Sequence, residues 1–326
     1  MTQSETATTF GDWGRKAIAK HFHKIVKHES AVLEDRDPEE LHQMRVGIRR
    51  LRSAMSGLAL ALNLPKKAGE KAVGKVGKSL GNLRDLDVLQ LTLVTDYFPH
   101  LPTSEQEELK QVFKHLKKER KEAFKEVKST LEGKHYQQLK KDLKEWLEKP
   151  DYTAIAAINI ELVLPDLLLP QVSQLLLHPG WLVGSKLGKE ASQVVEELSL
   201  EQVEELLQEQ GAILHSLRKE AKKTRYNMAL FTDFYGDQFQ NYLEKIKNIQ
   251  EILGTIQDCF ILGLFLEQTV GEELEKSIPQ LATQLQQKRY QKWQEWQSLQ
   301  RQFLELSTRQ DWQKTLIYSE VSELNN

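Results

Sequence analysis

Apolar residues recur at spacings of three and four along most of the chain. Leu109, Val112, Phe113, Leu116, Ala123, Phe124, Val127 and Leu131 form one such row, and Leu198, Leu200, Val203, Leu206, Leu207, Ile213, Leu214 and Leu217 roughly form another. That period belongs to helices burying one face, and almost no segment alternates with the period of two that a half-buried strand needs. The pattern predicts an all-α protein. Helix starts agree with it: Asp37 reads as an N-cap, Pro38 as the first helical residue and Glu40 as the N3 acid. Ser199 reads as the corresponding cap in the second half. Pro99 and Pro102 break the chain after Tyr97-Phe98. Pro165, Pro170 and the His178-Pro179-Gly180-Trp181 turn are expected to break it again, so 151–190 reads as a connection with short helices, too apolar to be a solvated linker.

Superposed on these rows is a repeat. His42, Arg45, Arg49, Arg50, Arg52 and Met55 return as His215, Arg218, Lys222, Lys223, Arg225 and Met228, at an offset of 173 residues. Leu80-Gly81 with Asp85 returns as Leu253-Gly254 with Asp258, at the same offset. Two separate blocks sharing one register point to a duplicated helical unit. The expectation is a single domain over 1–326 built from two pseudo-symmetric helical bundles, the first repeat over 12–150 and the second over 191–320.

At 100° per residue, His42, Arg45, Arg49 and Arg52 fall within an arc of about 80°, a narrow stripe along three helical turns. His215, Arg218, Lys222 and Arg225 form the same stripe, widened by Lys219 and Lys223, while Met44, Ile48, Leu51 and Met55 face the core. Like charges at i,i+4 repel, and segment 41–55 carries four Arg with no acid of its own. A helix built this way points to an external polyanion, and the planar guanidinium fork suits bidentate contact with phosphate oxygens. Lys71, Lys75 and Lys78 add positive charge on the following helix, as do Lys66 and Lys67 before it. The lysines between 110 and 128 alternate with Glu119, Glu122 and Glu126, so a solvated face explains them at least as well as ligand contact. Asp85 and Asp258 read either as carboxylates orienting a basic side chain of the stripe or as plain intrabundle ion pairs.

The formal net charge is −2, which taken alone would argue against a polyanion binder. That sum hides +7 in residues 1–150, −9 in 151–326 and a +4 block from His215 to Tyr226; 151–210 alone carries −8. The single Cys259 excludes an intramolecular disulfide or Cys-based zinc cluster and reads as a small packing residue. His21 and His23 share no helical face, and neither His42 nor His215 belongs to a His-x-x-x-His pair, so no metal and no cofactor are expected. Trp293, Trp296 and Trp312 read as core or interface. Met1 to Lys16 has no apolar signal region, and Glu161, Pro165, Asp166 and Pro170 interrupt the apolar run Ala154 to Leu177. A soluble, cytoplasmic protein without a membrane partner is expected.

The paired His-x-x-Arg-x-x-x-Arg/Lys-Arg/Lys-x-Arg helices and Leu-Gly-x-x-x-Asp blocks resemble the CHAD family, the conserved histidine α-helical domain, from about Trp13 to about Leu316. The resemblance implies two pseudo-symmetric bundles with a basic central groove, binding of inorganic polyphosphate and recruitment to polyphosphate granules. By position it places the contacts on His42, Arg45, Arg49, Arg50, Arg52, His215, Arg218, Lys222, Lys223 and Arg225. Lys71, Lys75, Lys78 and Lys219 join them as candidate contacts from the charge pattern. Lysine in the second stripe keeps the charge but weakens the bidentate argument. Many relatives carry a triphosphate tunnel enzyme domain with a Glu-x-Glu-x-Lys motif, which this chain lacks. The reading is therefore non-enzymatic polyphosphate binding, with two alternatives. RNA or other nucleic-acid binding shares the charge but wants aromatic residues in the stripes, where Tyr226 is the nearest. A metal-dependent phosphohydrolase wants metal-holding carboxylates or a phosphate loop, and the sequence has neither matched to the stripes.

Overall fold

The helical rows become eleven α-helices in the computed structural model, which describes residues 9–188 and 193–318. Met1 to Lys16, read as lacking an apolar signal region, and the acidic 190–210 stretch therefore fall partly outside the described residues. The helices gather into two compact units, one of residues 9–99 and 113–163, the other of 100–112 and 164–318.

The first unit is built on α1 (Phe10–Glu34), α2 (Pro38–Gly57), α3 (Glu70–Thr92), the later turns of α4 (Thr103–Glu132) and α5 (Lys134–Glu148). Asp35 takes a left-handed conformation (φ 51°) that closes α1, and the Asp37 carboxylate caps α2 by accepting the Glu39 N–H at 2.8 Å. Glu40 does not complete a capping box. Its carboxylate meets His28 Nδ1 of α1 at 2.6 Å and ties the hairpin shut. Gly47 is required by the close approach of α1 and α2, since a Cβ there would lie 2.9 Å from Ile25 Cγ1. Met44, Ile48, Leu51 and Met55 are all buried, as their spacing predicts.

The second unit contains α6 (Ile160–Leu176) from Leu164 onward, α7 (Leu200–Met228), α8 (Asp237–Val270), α9 (Leu274–Ser277), α10 (Pro279–Leu304) and α11 (Leu306–Ile317). Its core is aromatic: Trp181 stacks on Trp296 and Phe303, and Tyr242 on Trp312. Trp293, Trp296 and Trp312 are fully buried. Ser199 caps α7 in a reciprocal box with Gln202. Part of the acidic stretch has a structural task here, because Glu204 of α7 holds Arg289 of α10 in a nearly buried pair. Glu105, from the first turn of α4, is buried and accepts the Gln280 and Leu281 N–H groups at 2.9 and 3.1 Å, capping α10 from 175 residues away.

One expectation needs correction. Pro165 and Pro170 do not break the chain; both lie inside α6. They sit off the stripe buried by Ile160, Leu164, Leu168, Val172 and Leu175, so each lost backbone hydrogen bond falls on the more open side of a helix held by its apolar face. The fold is all-α, as the apolar rows predict, with one small addition: β1 (Ser185–Leu187) pairs antiparallel with β2 (Gln193–Val195). Strands of three residues are too short to show a period. The entry to β1 requires Gly184, which has φ +70° and would place a Cβ 2.6 Å from the Trp293 ring. By length and composition, Ile160–Leu182 and Asp237–Val270 could each cross a membrane; in the fold both carry buried stripes.

Two measurements test this packing. His21 is buried on α1, and burial, aided by Arg50, Lys20 and Lys24, lowers its pKa to about 4. The unfolded chain therefore takes up the proton first as pH falls, so the stability contribution is complete above about 6.5 and drains away toward about 4. The loss amounts to at most ~3 kcal/mol. His21→Leu is expected to flatten that part of the acid limb in urea titrations, and an unchanged limb would count against this assignment. Glu105→Ala should cost about 1–3 kcal/mol, read as a lower urea midpoint in tryptophan fluorescence. That signal reports chiefly on the second unit, which holds Trp181, Trp293, Trp296 and Trp312.

Candidate anion-binding faces

On α2 the cations divide between two flanks. Arg45 and Arg52 lie across glycines of α3: a Cβ at Gly81 would be 3.6 Å from Arg45 Nη2, and one at Gly74 would be 3.4 Å from Arg52 Nε. Their charges meet carboxylates supplied by α3, Asp85 at 3.2 Å from Arg45 and Glu70 at 2.9 Å from Arg52. The acid missing from 41–55 is thus partly provided by the neighbouring helix, through Asp85, which the sequence offers as a partner of the stripe, and through Glu70. Both pairs are substantially exposed, so each contributes little to stability. Arg50 turns to the other flank, where its charge bears on His21 and Lys24 of α1. Lys24 is held below its ordinary pKa by burial and then by Arg50, and donates to Gln43 at 2.6 Å.

His42 is half-buried on the same face. Burial lowers its pKa first, then the charges of Arg84, Arg49 and Arg45, against an opposing pull from Glu39. Arg84 of α3 therefore belongs to this face, although nothing in the α2 motif names it. Lys71, Lys75 and Lys78 are exposed on α3, and helix periodicity sets them roughly 40–100° around from the Gly74 line. They border the arginine ladder rather than forming its centre.

The second unit repeats the central contact. Arg218 of α7 lies across Gly254 of α8, where a Cβ would be 3.1 Å from its Nε, and this pair stands 173 residues from Arg45 and Gly81. Lys223, like Arg50, faces away from that seam, toward Glu220 and Gln174 of α6 at 3.2 and 3.4 Å. Arg225 lies over the Tyr226 ring at 4.9 Å and donates to its hydroxyl at 3.2 Å. His215 is lowered by burial and then by Lys219, Arg218 and Lys222. Arg218 Nε and His215 Nδ1 are buried without a hydrogen-bond partner among the described residues. Lys219 and Asp258 are exposed, and Lys222 is half-buried.

The chemistry of both faces is the same. Guanidinium groups rest on glycine, so part of their side-chain freedom is already spent before any ligand arrives. A histidine kept neutral by burial and surrounding cations offers a proton site that an incoming anion would favour. Tyr226 is only 7% exposed and covered by Arg225, so it cannot serve as a base-stacking platform. Among the described residues no three His, Cys, Asp or Glu side chains gather in a way that could hold a metal ion.

The CHAD domain family model matches residues 16–267. The fold is similar to the crystal structure of the CHAD domain from the plant Ricinus communis, with a TM-score of 0.58 and 22% identity over 91% of this chain and 92% of that one. It is also similar to PptA from Streptomyces chartreusis, with a TM-score of 0.57 and 12% identity over 88% and 99% of the two chains. Among curated proteins none matches in sequence. The family match spans more than half of the chain and contains both arginine–glycine seams: this chain belongs to the CHAD domain family.

Proposed function

We propose that the protein binds inorganic polyphosphate without chemical turnover, through the basic faces of α2 and α7, and that this binding carries it to polyphosphate granules in the cytoplasm. The observation that supports this reading most strongly is the recurrence of one device: an arginine laid across a glycine of the next helix, beside a neutral histidine ringed by cations, in both units. Such a face neutralises a repeating anion without reading bases or activating water. Arg45, Arg49, Arg218 and Lys222 are the central contacts, with Arg52, Arg225, Lys219 and Arg84 beside them. Arg50 and Lys223 extend the field on the opposite flank of each helix. The burial of Tyr226 disfavours nucleic acid as the ligand.

Titration with long-chain polyphosphate should show affinity falling roughly 50-fold between about 50 and 200 mM salt if four contacts release counterions as they do on single-stranded nucleic acid. The combined variant Arg45→Ala, Arg49→Ala, Arg218→Ala, Lys222→Ala should lose at least ~100-fold, since charge-assisted hydrogen bonds contribute about 1.5–3 kcal/mol each. No binding at low salt, a tighter grip on RNA than on polyphosphate, or release of phosphate with added magnesium would each overturn the reading.

Proton linkage supplies an independent check. In the free protein His42 and His215 titrate below the ordinary value of 6.5. Bound anion raises both, so binding takes up protons. Affinity should therefore grow as pH falls, with the gain complete below the free-state pKa values and lost as pH rises through the bound-state ones. Replacing both histidines with Asn should flatten the pH profile while leaving the salt dependence in place.

A further inference from the structure

We propose that the cleft between α3 and the later turns of α4, within the first unit, binds a nucleoside phosphate. The cleft encloses about 780 Å³, within the range of small-ligand sites. Its floor is an ion cluster. Arg120 donates twice to Asp35 and once to Asp87, each at 2.7 Å, and these carboxylates hold the guanidinium firmly protonated. The Asp87 side chain is only 7% exposed, and its Oδ2 is sealed off without a hydrogen-bond partner among the described residues.

The walls are apolar and open to solvent. Leu91 is 57% and Val94 45% exposed on one side, and they face a cleft lined on the other by half-buried Phe113 and Phe124 of α4. Such a slot takes a flat, weakly polar ring. The rim is cationic. Lys117 and Lys121 stand one turn apart on α4, with Arg84 across from them on α3. With Arg120 counted, four cations face two carboxylates, so the site favours an anion. Inorganic polyphosphate would leave the apolar walls unused. A flat ring joined to a phosphate satisfies walls and rim together, and the nucleotides are a ligand class with that combination. The central contacts of the polyphosphate reading, on α2 and α7, do not line this cleft; Arg84 borders both sites.

Calorimetric titrations of the full chain with AMP, GMP, CMP and UMP, against inorganic phosphate, test the proposal at about 150 mM salt, where loose phosphate contacts are screened. At least one nucleotide should bind tenfold or more tightly than phosphate. Lys117→Ala with Lys121→Ala should weaken it at least tenfold. Leu91→Trp, a change at an exposed position that fills the slot, should abolish binding while the circular dichroism melting curve stays in place. The combined Arg45, Arg49, Arg218 and Lys222 variant should bind the nucleotide as the natural chain does. The proposal is overturned if no nucleotide saturates in the millimolar range or if phosphate matches all four. It also fails if Leu91→Trp binds normally, or if only the combined variant loses binding.

Discussion

The packing of an arginine guanidinium onto a glycine of the next helix is the constraint around which each unit is arranged. Any side chain at Gly254 would press on Arg218 at 3.1 Å, and one at Gly81 would reach van der Waals contact with Arg45. Without a Cβ in the way, the backbone of α3 or α8 forms a smooth bed along which a long cationic side chain can lie. The aliphatic stem gains packing while the charged head stays at the surface. The helix thus presents its charge at fixed positions instead of on freely rotating stalks. Repulsion along the arginine ladder is eased in the first unit by Asp85 and Glu70, and in the second by Tyr226, whose ring lies under Arg225. The seam is common to both units, but the means of relieving its charge differ.

Their surroundings differ as well. In the first unit α1 precedes α2 across a tight turn, and His28 and Glu40 lock the pair. In the second, the small β pair and the proline-bearing α6 precede α7. The offset of 173 residues therefore holds at the level of individual contacts, Arg45 on Gly81 and Arg218 on Gly254, while the elements around them do not correspond one for one.

The parts legible in the sequence are those set by local physics. Asp37 and Ser199 mark helix starts because their side chains bond backbone N–H groups two or three residues on, and the spacing of Met44, Ile48, Leu51 and Met55 is decided within one helix. The basic faces were legible for the same reason, since all their central members lie on single helices. Arg84 was not, because it reaches His42 from another helix. The pairing of Arg120 with Asp35 and Asp87 joins three separate elements and leaves no spacing signal. Pro165 and Pro170 show the opposite failure: a strong local rule was outweighed by an apolar stripe with a core to cover.

Cys259 packs in the core, and its setting gives it another use. It is the chain's single thiol, 4% exposed, and stands five residues beyond Gly254 on α8. A thiol reagent can reach it only when that stretch of helix parts from its neighbours. Its labelling rate is therefore a clock for local opening beside the Arg218 seam, read from one atom with no background from other cysteines.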